Sequence, residues 1–183
     1  MIILGVDPGS LSTGYGILRA DRGSLSVIAC GTIRNRSTTP MPERLHSIFG
    51  GLCELIRAHH PDELAIETAF YGKNAQSALK LGQARGAAIL AAVTGGIAVH
   101  EYSPREVKKA VVGNGTASKA QVKSMVHRSL SLRSVKTGYD TADALAIALC
   151  HYQRKSGPQP GPGRSWKSFV AAHPERLSAG DSV

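Results

Sequence analysis

The sequence has few of the features that mark secreted, membrane or disulfide-stabilised proteins. Its 183 residues contain only three cysteines, Cys30, Cys53 and Cys150, which are far apart and form no C-x-x-C pair. We therefore expect buried thiols and no disulfides. No apolar run reaches the ~18 residues of a membrane span. The N-terminus also lacks the basic start and apolar core of a signal peptide, so we expect a cytoplasmic protein.

Acidic residues are also scarce, and the resulting positive charge is unevenly distributed. The formal net charge is +9, and the segment from Ser103 to Lys136 alone holds eight Lys or Arg residues against one acid, a net +7. Such a concentration indicates a polyanionic partner, either nucleic acid or an acidic membrane surface. A solvated basic face without any partner is the alternative.

Apolar patterns and turn residues predict an α/β fold. Three opening strands, at residues 2–6, 14–18 and 25–33, form a predicted meander, and two short strands follow at 63–67 and 97–102. Helices are predicted from Pro42 to about residue 60 and over residues 74–94, 104–112, 118–130 and 139–153. Three strands followed by alternating helices and strands indicate a mixed sheet with helices packed on it.

Composition also predicts the domain organisation. Residues 1–155 have the length and apolar content of one globular domain. Residues 156–183 hold four Gly, four Pro and five Ser, and the only aromatic residues among them are Trp166 and Phe169. We expect these last residues to form a flexible tail.

Four acids have positions that suit a shared site. Asp7 and Glu67 end two predicted strands, and groups at the carboxyl ends of strands line the ligand crevice of open α/β sheets. Asp140 and Asp143 are three residues apart on one face of the last helix. An apolar face pointing away from them is predicted to grip the core; it consists of Ala142, Leu145, Ala146 and Leu149. If this helix lies beside the first strand, the four carboxylates converge.

Such a cluster predicts metal-dependent chemistry. Clustered carboxylates repel one another unless a cation neutralises them. Ligation by oxygen alone favours Mg²⁺ or Mn²⁺ over zinc, and two such ions can hold the attacking and leaving oxygens of phosphodiester hydrolysis. Each acid also has a simpler interpretation. Asp7 could initiate a turn, Asp140 could be a helix N-terminal acid, and Glu67 and Asp143 could be exposed.

Five stretches of the sequence resemble motifs of RuvC-type Holliday junction resolvases. They cover residues 5–16, 65–74, 77–86, 104–109 and 140–146, in the family's order. The resemblance implies a ribonuclease H-like fold, a mixed five-stranded sheet with helices on both faces. It also implies a homodimer that resolves four-way DNA junctions by paired symmetric nicks in recombination and repair. The RuvA-RuvB branch-migration complex is the further partner that it implies.

The resemblance also assigns site residues. It makes Asp7, Glu67, Asp140 and Asp143 the ligands of two Mg²⁺ ions per site, with Mn²⁺ able to substitute. Lys108 and Lys119 match lysines near the scissile phosphate, and we expect Lys119 to act in catalysis. Phe70 matches an aromatic residue that stacks on an unpaired base. We expect further DNA contacts from Tyr71, Lys73, Asn74, Lys80, Arg85, Lys109 and Lys123.

Several alternatives stay open at this stage. The lysines could be ordinary exposed side chains, and Phe70 or Tyr71 could fill the core. The family resemblance implies that the Ala- and Gly-rich helix over residues 74–94 contributes to the dimer interface, yet this helix could pack entirely within its own subunit. We interpret none of His59, His60 and His151 as a metal ligand.

Three other functions compete with junction resolution. A different ribonuclease H-like nuclease would share the acids but lack the Phe70 region and the basic helix. An actin-like ATPase could use Asp7-Pro8-Gly9 as a phosphate loop, but that fold needs two lobes and this chain is too short for them. A catalytically silent junction-binding module is disfavoured because all four acids are present.

Overall fold

The computed structural model describes residues 1–68, 74–132 and 137–156. Within them the chain forms β1 (Ile2–Asp7), β2 (Ser12–Asp21), β3 (Ser24–Arg34), α1 (Met41–His59), β4 (Glu63–Glu67), α2 (Ala75–Thr94), β5 (Ala98–Tyr102), α3 (Pro104–Val112), α4 (Lys119–Ser129) and α5 (Tyr139–Ser156). Every one of these elements matches a predicted one. β2 and β3 are longer than predicted because their polar ends continue the antiparallel ladder as far as Asp21 and Ser24. The predicted tail lies outside the described residues from position 157 onward.

The strands form one mixed sheet in the order β3-β2-β1-β4-β5. β1 pairs antiparallel with β2 and parallel with β4, β2 pairs antiparallel with β3, and β4 pairs parallel with β5. The predicted meander and the five-stranded mixed sheet are therefore confirmed. Because β1 and β4 are parallel neighbours, their carboxyl ends lie at the same edge of the sheet.

Helices cover both faces of the sheet, as expected. Alternating β-strand residues point to opposite faces, and in β1 this divides the core in two. Leu4 and Val6 pack with the buried residues of α1 and α2. Ile3 packs with those of α3, α4 and α5. Residues 1–153 group into one compact unit.

α5 lies unusually close to the strands because glycines face it. A Cβ atom at Gly5 would come within 2.2 Å of the Ala144 carbonyl oxygen, and one at Gly14 within 2.0 Å of the Asp140 carbonyl oxygen. Any side chain at these positions would push the helix away from β1 and β2. The two glycines thus determine how closely the N-terminal half of α5 approaches β1 and β2.

α5 is buried more completely than its sequence pattern predicts. The expectation was a single apolar face, but residues 144, 147, 148 and 150 are buried as well. The helix belongs to the same core as Val107 and Val111 of α3 and Val122 and Val126 of α4, so it is covered on the side away from the sheet too. A helical segment that is apolar all round, as residues 144–150 are, is typical of such a central position. In the described part of the chain, no helix is long and apolar enough to cross a membrane.

Candidate active site

Strand pairing brings the first two acids together. Asp7 and Glu67 are the last residues of β1 and β4, and the residues before them, Val6 and Ile66, are directly paired. Ile3 and Ala65 belong to the core on the α5 side of the sheet. Because side chains alternate along a strand, Asp7 and Glu67 also face that side.

The first turn of α5 brings the other two acids to the same place. Gly14, the β2 partner of Asp7, contacts the backbone of Asp140 directly. Asp140 and Asp143 both act electrostatically on Asp7, as does Glu67. The structure therefore brings the four predicted acids together at one edge of the sheet. Their role as metal ligands stays a prediction.

Ser12 is a site residue that the sequence analysis missed. Its hydroxyl donates a hydrogen bond of 2.5 Å to Oδ2 of Asp140, 128 residues away in sequence. Next to it, the Thr13 hydroxyl donates to the Gly9 carbonyl at 2.8 Å and shapes the loop that follows Asp7. Ser12 therefore holds the Asp140 carboxylate in one orientation. The sequence signal was weak, since a serine in a Gly-rich turn is usually explained by the turn itself.

The acids are too crowded to ionise independently. Burial raises the pKa of Asp7 to about 7, and repulsion from Glu67, Asp143 and Asp140 adds to the effect while Lys119 opposes it. Burial also raises the pKa of Glu67, followed by repulsion from Asp143, against the pull of Lys119 and Lys108. The protein's own cations thus do not balance the negative charge. An all-oxygen donor set with surplus negative charge fits a hard divalent cation such as Mg²⁺.

Two lysines line the site from α3 and α4. Nζ of Lys119 lies 3.0 Å from Oδ2 of Asp143, and this side chain is 71% exposed while that of Asp143 is 17% exposed. The hydrogen bond to Asp143 raises the pKa of Lys119, although its partial burial acts in the opposite direction. Lys108 lines the same cavity as Glu67, Lys119 and Asp143. Both lysines therefore face the acids.

N-terminal capping boxes define where α3 and α4, the helices that carry these lysines, begin. Ser118 caps α4 through a capping box with Gln121, which makes Lys119 the first residue of the helix. Ser103 and Glu106 form the same motif at the start of α3, as the sequence predicts. Such caps satisfy backbone N–H groups that would otherwise lack partners, so they define where each helix begins.

The other predicted DNA-contact residues are spread around this edge. Arg85 lines a cavity together with Asp7 and Glu67 and forms an ion pair with Glu101. The Lys123 ammonium lies 4.7 Å from the centre of the Tyr139 ring. Lys80 and Lys109 are exposed. The side-chain oxygen of Asn74 caps α2 by accepting from the Ser77 N–H at 3.2 Å, so Asn74 has a structural role in any case. Phe70, Tyr71 and Lys73 lie outside the described residues.

Comparison with known proteins identifies relatives along almost the whole chain. The family profile described as "Crossover junction endodeoxyribonuclease RuvC" matches residues 3–151. A protein of that name from Salinibacter ruber is 49% identical over 178 residues, which cover 97% of this chain and 99% of the relative. Another, from Saccharophagus degradans, is 55% identical over 150 residues, which cover 82% of this chain and 86% of the relative.

A solved structure agrees with these sequence matches. The structure of RuvC from T. thermophilus in complex with a Holliday junction substrate superposes with a TM-score of 0.78 at 32% identity, covering 83% of this chain and 93% of that one. The yeast mitochondrial Holliday junction resolvase Ydc2 has a TM-score of 0.56 at 13% identity and shows the shared fold alone. The ribonuclease H-like fold implied by the sequence motifs is confirmed. The chain belongs to the RuvC family of crossover junction endodeoxyribonucleases.

Proposed function

We propose that this protein resolves four-way DNA junctions by hydrolysing two phosphodiester bonds in paired, symmetric nicks, in recombination and repair. The observation that carries the proposal is the meeting of Asp7, Glu67, Asp140 and Asp143 beside two lysines at one sheet edge. The solved relative bound to a Holliday junction substrate supports the choice of DNA. A DNA substrate is also consistent with the predicted cytoplasmic location.

The four acids hold two Mg²⁺ ions in this proposal, and Mn²⁺ substitutes for Mg²⁺. When bound there, two such ions would supply an activated water molecule and positive charge next to the leaving oxygen. The support in this chain is the oxygen-only donor set and the raised pKa values of Asp7 and Glu67. The Ser12 hydroxyl fixes Asp140, so this ligand is oriented before any ion binds.

In this proposal the two lysines bind near the scissile phosphate. Lys119 is largely exposed beside Asp143, and Lys108 lines the same cavity, so a phosphate placed there would lie next to both ammonium groups. Fixed positive charge at this point stabilises the negative charge that builds up during hydrolysis. Lys119 is the catalytic lysine in this proposal, because it also contacts a metal ligand directly.

The remaining basic residues extend the DNA interface away from the acids. Lys80, Arg85, Lys109 and Lys123 bind backbone phosphates, which positions the junction without reading its sequence. Asn74 is a further DNA contact in this proposal, as are Phe70, Tyr71 and Lys73, which lie outside the described residues. The predicted preference of Phe70 for an unstacked base belongs to this proposal as well.

A second copy of the chain docks on α2 in this proposal. Leu79, Leu90 and Val93 are large apolar side chains on this helix that are 64%, 57% and 61% exposed. Gly82 and Gly86 lie between them, four residues apart, and a Cβ atom at either position would meet nothing. An apolar stripe with small residues at its centre suits close helix packing, and a two-fold dimer matches the two equivalent strands of a junction. Binding to the RuvA-RuvB complex, a domain over residues 1–155 and a flexible tail over 156–183 remain predictions.

A cleavage assay on a plasmid that extrudes a cruciform tests the proposal. With Mg²⁺, wild-type protein should convert the supercoiled plasmid directly to linear product, because paired nicks across the junction open both strands. Relaxed plasmid without a cruciform should stay intact. Asp7→Asn should abolish cutting while still shifting a synthetic junction in a gel. Cutting by Asp7→Asn in the presence of EDTA would reject the metal-dependent site, and nicked circles as the only product would reject paired action.

A further inference from the structure

A second cluster of titratable side chains lies on the same face of the sheet as the acids, but at its other end. Glu63 begins β4, four residues before Glu67, which is about 13 Å along the strand. Its Oε2 atom lies 2.5 Å from Nε2 of His151 on α5 and 3.7 Å from Nε2 of His100 on β5. The His100 and His151 ring centroids are 4.6 Å apart. Three elements therefore converge here, independently of the active site.

The Nε2 atom of His100 has no accounted role in the fold. It is shielded from solvent and has no hydrogen-bond partner among the residues that the structure describes. Its separation of 3.7 Å from the Glu63 oxygen is too long for a hydrogen bond. Two ligands of one ion, each at ~2.1 Å from it, are commonly about this far apart. The gap between His100 and Glu63 is thus the right width for a cation.

The surroundings of His151 also resemble those of a metal ligand. Its Nδ1 atom lies 2.7 Å from the Tyr102 hydroxyl. Metal-bound histidines regularly donate their second ring N–H to a neighbouring oxygen, which orients the ring, and the Tyr102 oxygen is placed to accept such a hydrogen bond. The His151 side chain is 3% exposed and that of His100 is 41% exposed. An ion would therefore enter the site from the His100 side and bind next to the buried His151 ring.

We propose, against our sequence-based interpretation of His151, that Glu63, His100 and His151 form a binding site for a divalent transition metal of the Zn²⁺ type, separate from the four acids. One ligand atom from each residue lies within 4.8 Å of the other two. Two imidazole nitrogens and one carboxylate oxygen favour Zn²⁺ or Co²⁺ over Mg²⁺, and water completes the tetrahedron. Binding requires His151 and Glu63 to separate from 2.5 Å to about 3.4 Å, the ligand spacing of a tetrahedral ion.

Such an ion would join β4, β5 and α5 at one point. Its effect on the protein is therefore structural, since the acids that cut DNA lie at the opposite end of β4 and in the first turn of α5. Binding to the folded form alone would raise the unfolding temperature in proportion to the logarithm of the metal concentration.

Cobalt absorption spectroscopy tests this site directly. The full-length protein is titrated with Co²⁺ in excess Mg²⁺, so that the acid site prefers Mg²⁺, and the visible d–d bands report nitrogen ligation in a low-symmetry site. Wild type and His46→Gln, which alters an exposed histidine on α1, should show the same saturable bands. Tyr102→Phe should weaken Co²⁺ affinity by about 10–100-fold. His100→Gln should weaken it more than that.

Thermal unfolding with Zn²⁺ provides a second readout. Zn²⁺ should raise the unfolding temperature of wild type and His46→Gln but not that of His100→Gln. His100 is partly exposed, so its replacement should leave the fold intact. If His100→Gln keeps both the cobalt bands and the zinc-dependent stabilisation, the cluster is a hydrogen-bonded network and the proposed metal site is wrong. Failure of junction cleavage would not bear on this result.

Discussion

The two ends of β4 make an instructive pair. At the carboxyl end, Glu67 belongs to a cluster with three aspartates, and two lysines line it. At the amino end, Glu63 meets two histidines, one of which also contacts the Tyr102 hydroxyl, and the Glu63 side chain is 15% exposed. The same strand and the same helix build both clusters on the same face of the sheet. The fold supplies the convergence, and the donor atoms decide which cation each end suits.

The largest expected difference between the ends comes from replacing one glutamate at a time. Glu67→Gln removes a carboxylate from the acid cluster and should reduce the rate of junction cutting by about 10³-fold or more, since metal-based charge stabilisation is worth several kcal/mol. Glu63→Gln should leave the cutting rate within a few-fold of wild type at moderate temperature. Single-turnover cleavage of a synthetic junction in Mg²⁺ measures both rates.

Stability should respond in the opposite order. Glu63→Gln weakens the contact with the buried His151, so the free energy of unfolding should fall by about 1–3 kcal/mol in urea titrations. Glu67→Gln relieves repulsion and should not destabilise the metal-free protein. Equal losses of cutting rate in the two variants would show that the ends are not functionally separate.

The sequence predicted the acid end better than the histidine end, for a physical reason. Asp7 and Glu67 end strands, and the pair Asp140 and Asp143 lies on one helix turn, so local patterns place each acid on its element. Their convergence was conditional on α5 lying beside β1. His100 and His151 are 51 residues apart and on different elements. Only the register of β4 with β5 and the position of α5 across the sheet bring them to Glu63. Local sequence patterns carry no information about where α5 crosses the sheet. The role of Gly5 and Gly14 in that packing can be recognised only from the contacts in the structure.

The same limitation explains Ser12 and the second buried side of α5. Ser12 reaches Asp140 because Gly14 lets α5 approach the sheet, a contact between residues 128 positions apart. The alanines of α5 are small enough for the helix to pack against the sheet on one side and against α3 and α4 on the other. A pattern of polar and apolar residues predicts only one buried face. Packing against α3 and α4 decided this burial.

A smaller effect is expected from Ser12→Ala. Loss of the hydroxyl frees the Asp140 carboxylate to rotate, and an outer partner of a metal ligand typically contributes about 10–100-fold in affinity. We expect the Mg²⁺ concentration for half-maximal cutting to rise by that factor, with near-normal cutting at saturating Mg²⁺. Ser10→Ala, in the same loop, is the matched control. A lower maximal rate at every Mg²⁺ concentration would mean that Ser12 acts on the reaction and not on ion binding.

The smallest predicted effect is on the pH dependence of stability, which should differ between the acid cluster and the Glu63 end of β4. Asp7 has a pKa of about 7 in the folded protein against an ordinary value of 3.8. Its ionisation therefore opposes folding increasingly as the pH rises from 3.8 to about 7, and the full cost applies above that range. The difference between the two pKa values corresponds to a destabilisation of at most about 4 kcal/mol. Relaxation of the folded protein and entry of water should reduce this destabilisation to about 1–3 kcal/mol. Without metal, Asp7→Asn should exceed wild type in stability by this amount at about pH 8, and by much less at about pH 4.

Urea unfolding in EDTA at the two pH values measures the difference, with the exposed Asp21→Asn as the control that should match wild type at both. Saturating Mg²⁺ should then reverse the order, because the ion stabilises the ionised wild-type cluster and finds one ligand fewer in Asp7→Asn. Replacing Glu63 in the same series should give no gain at about pH 8, since its carboxylate contacts His100 and His151. If Asp7→Asn is less stable than wild type in EDTA at about pH 8, the carboxylates are not crowded enough to require a cation, and the physical basis of the proposed metal site fails.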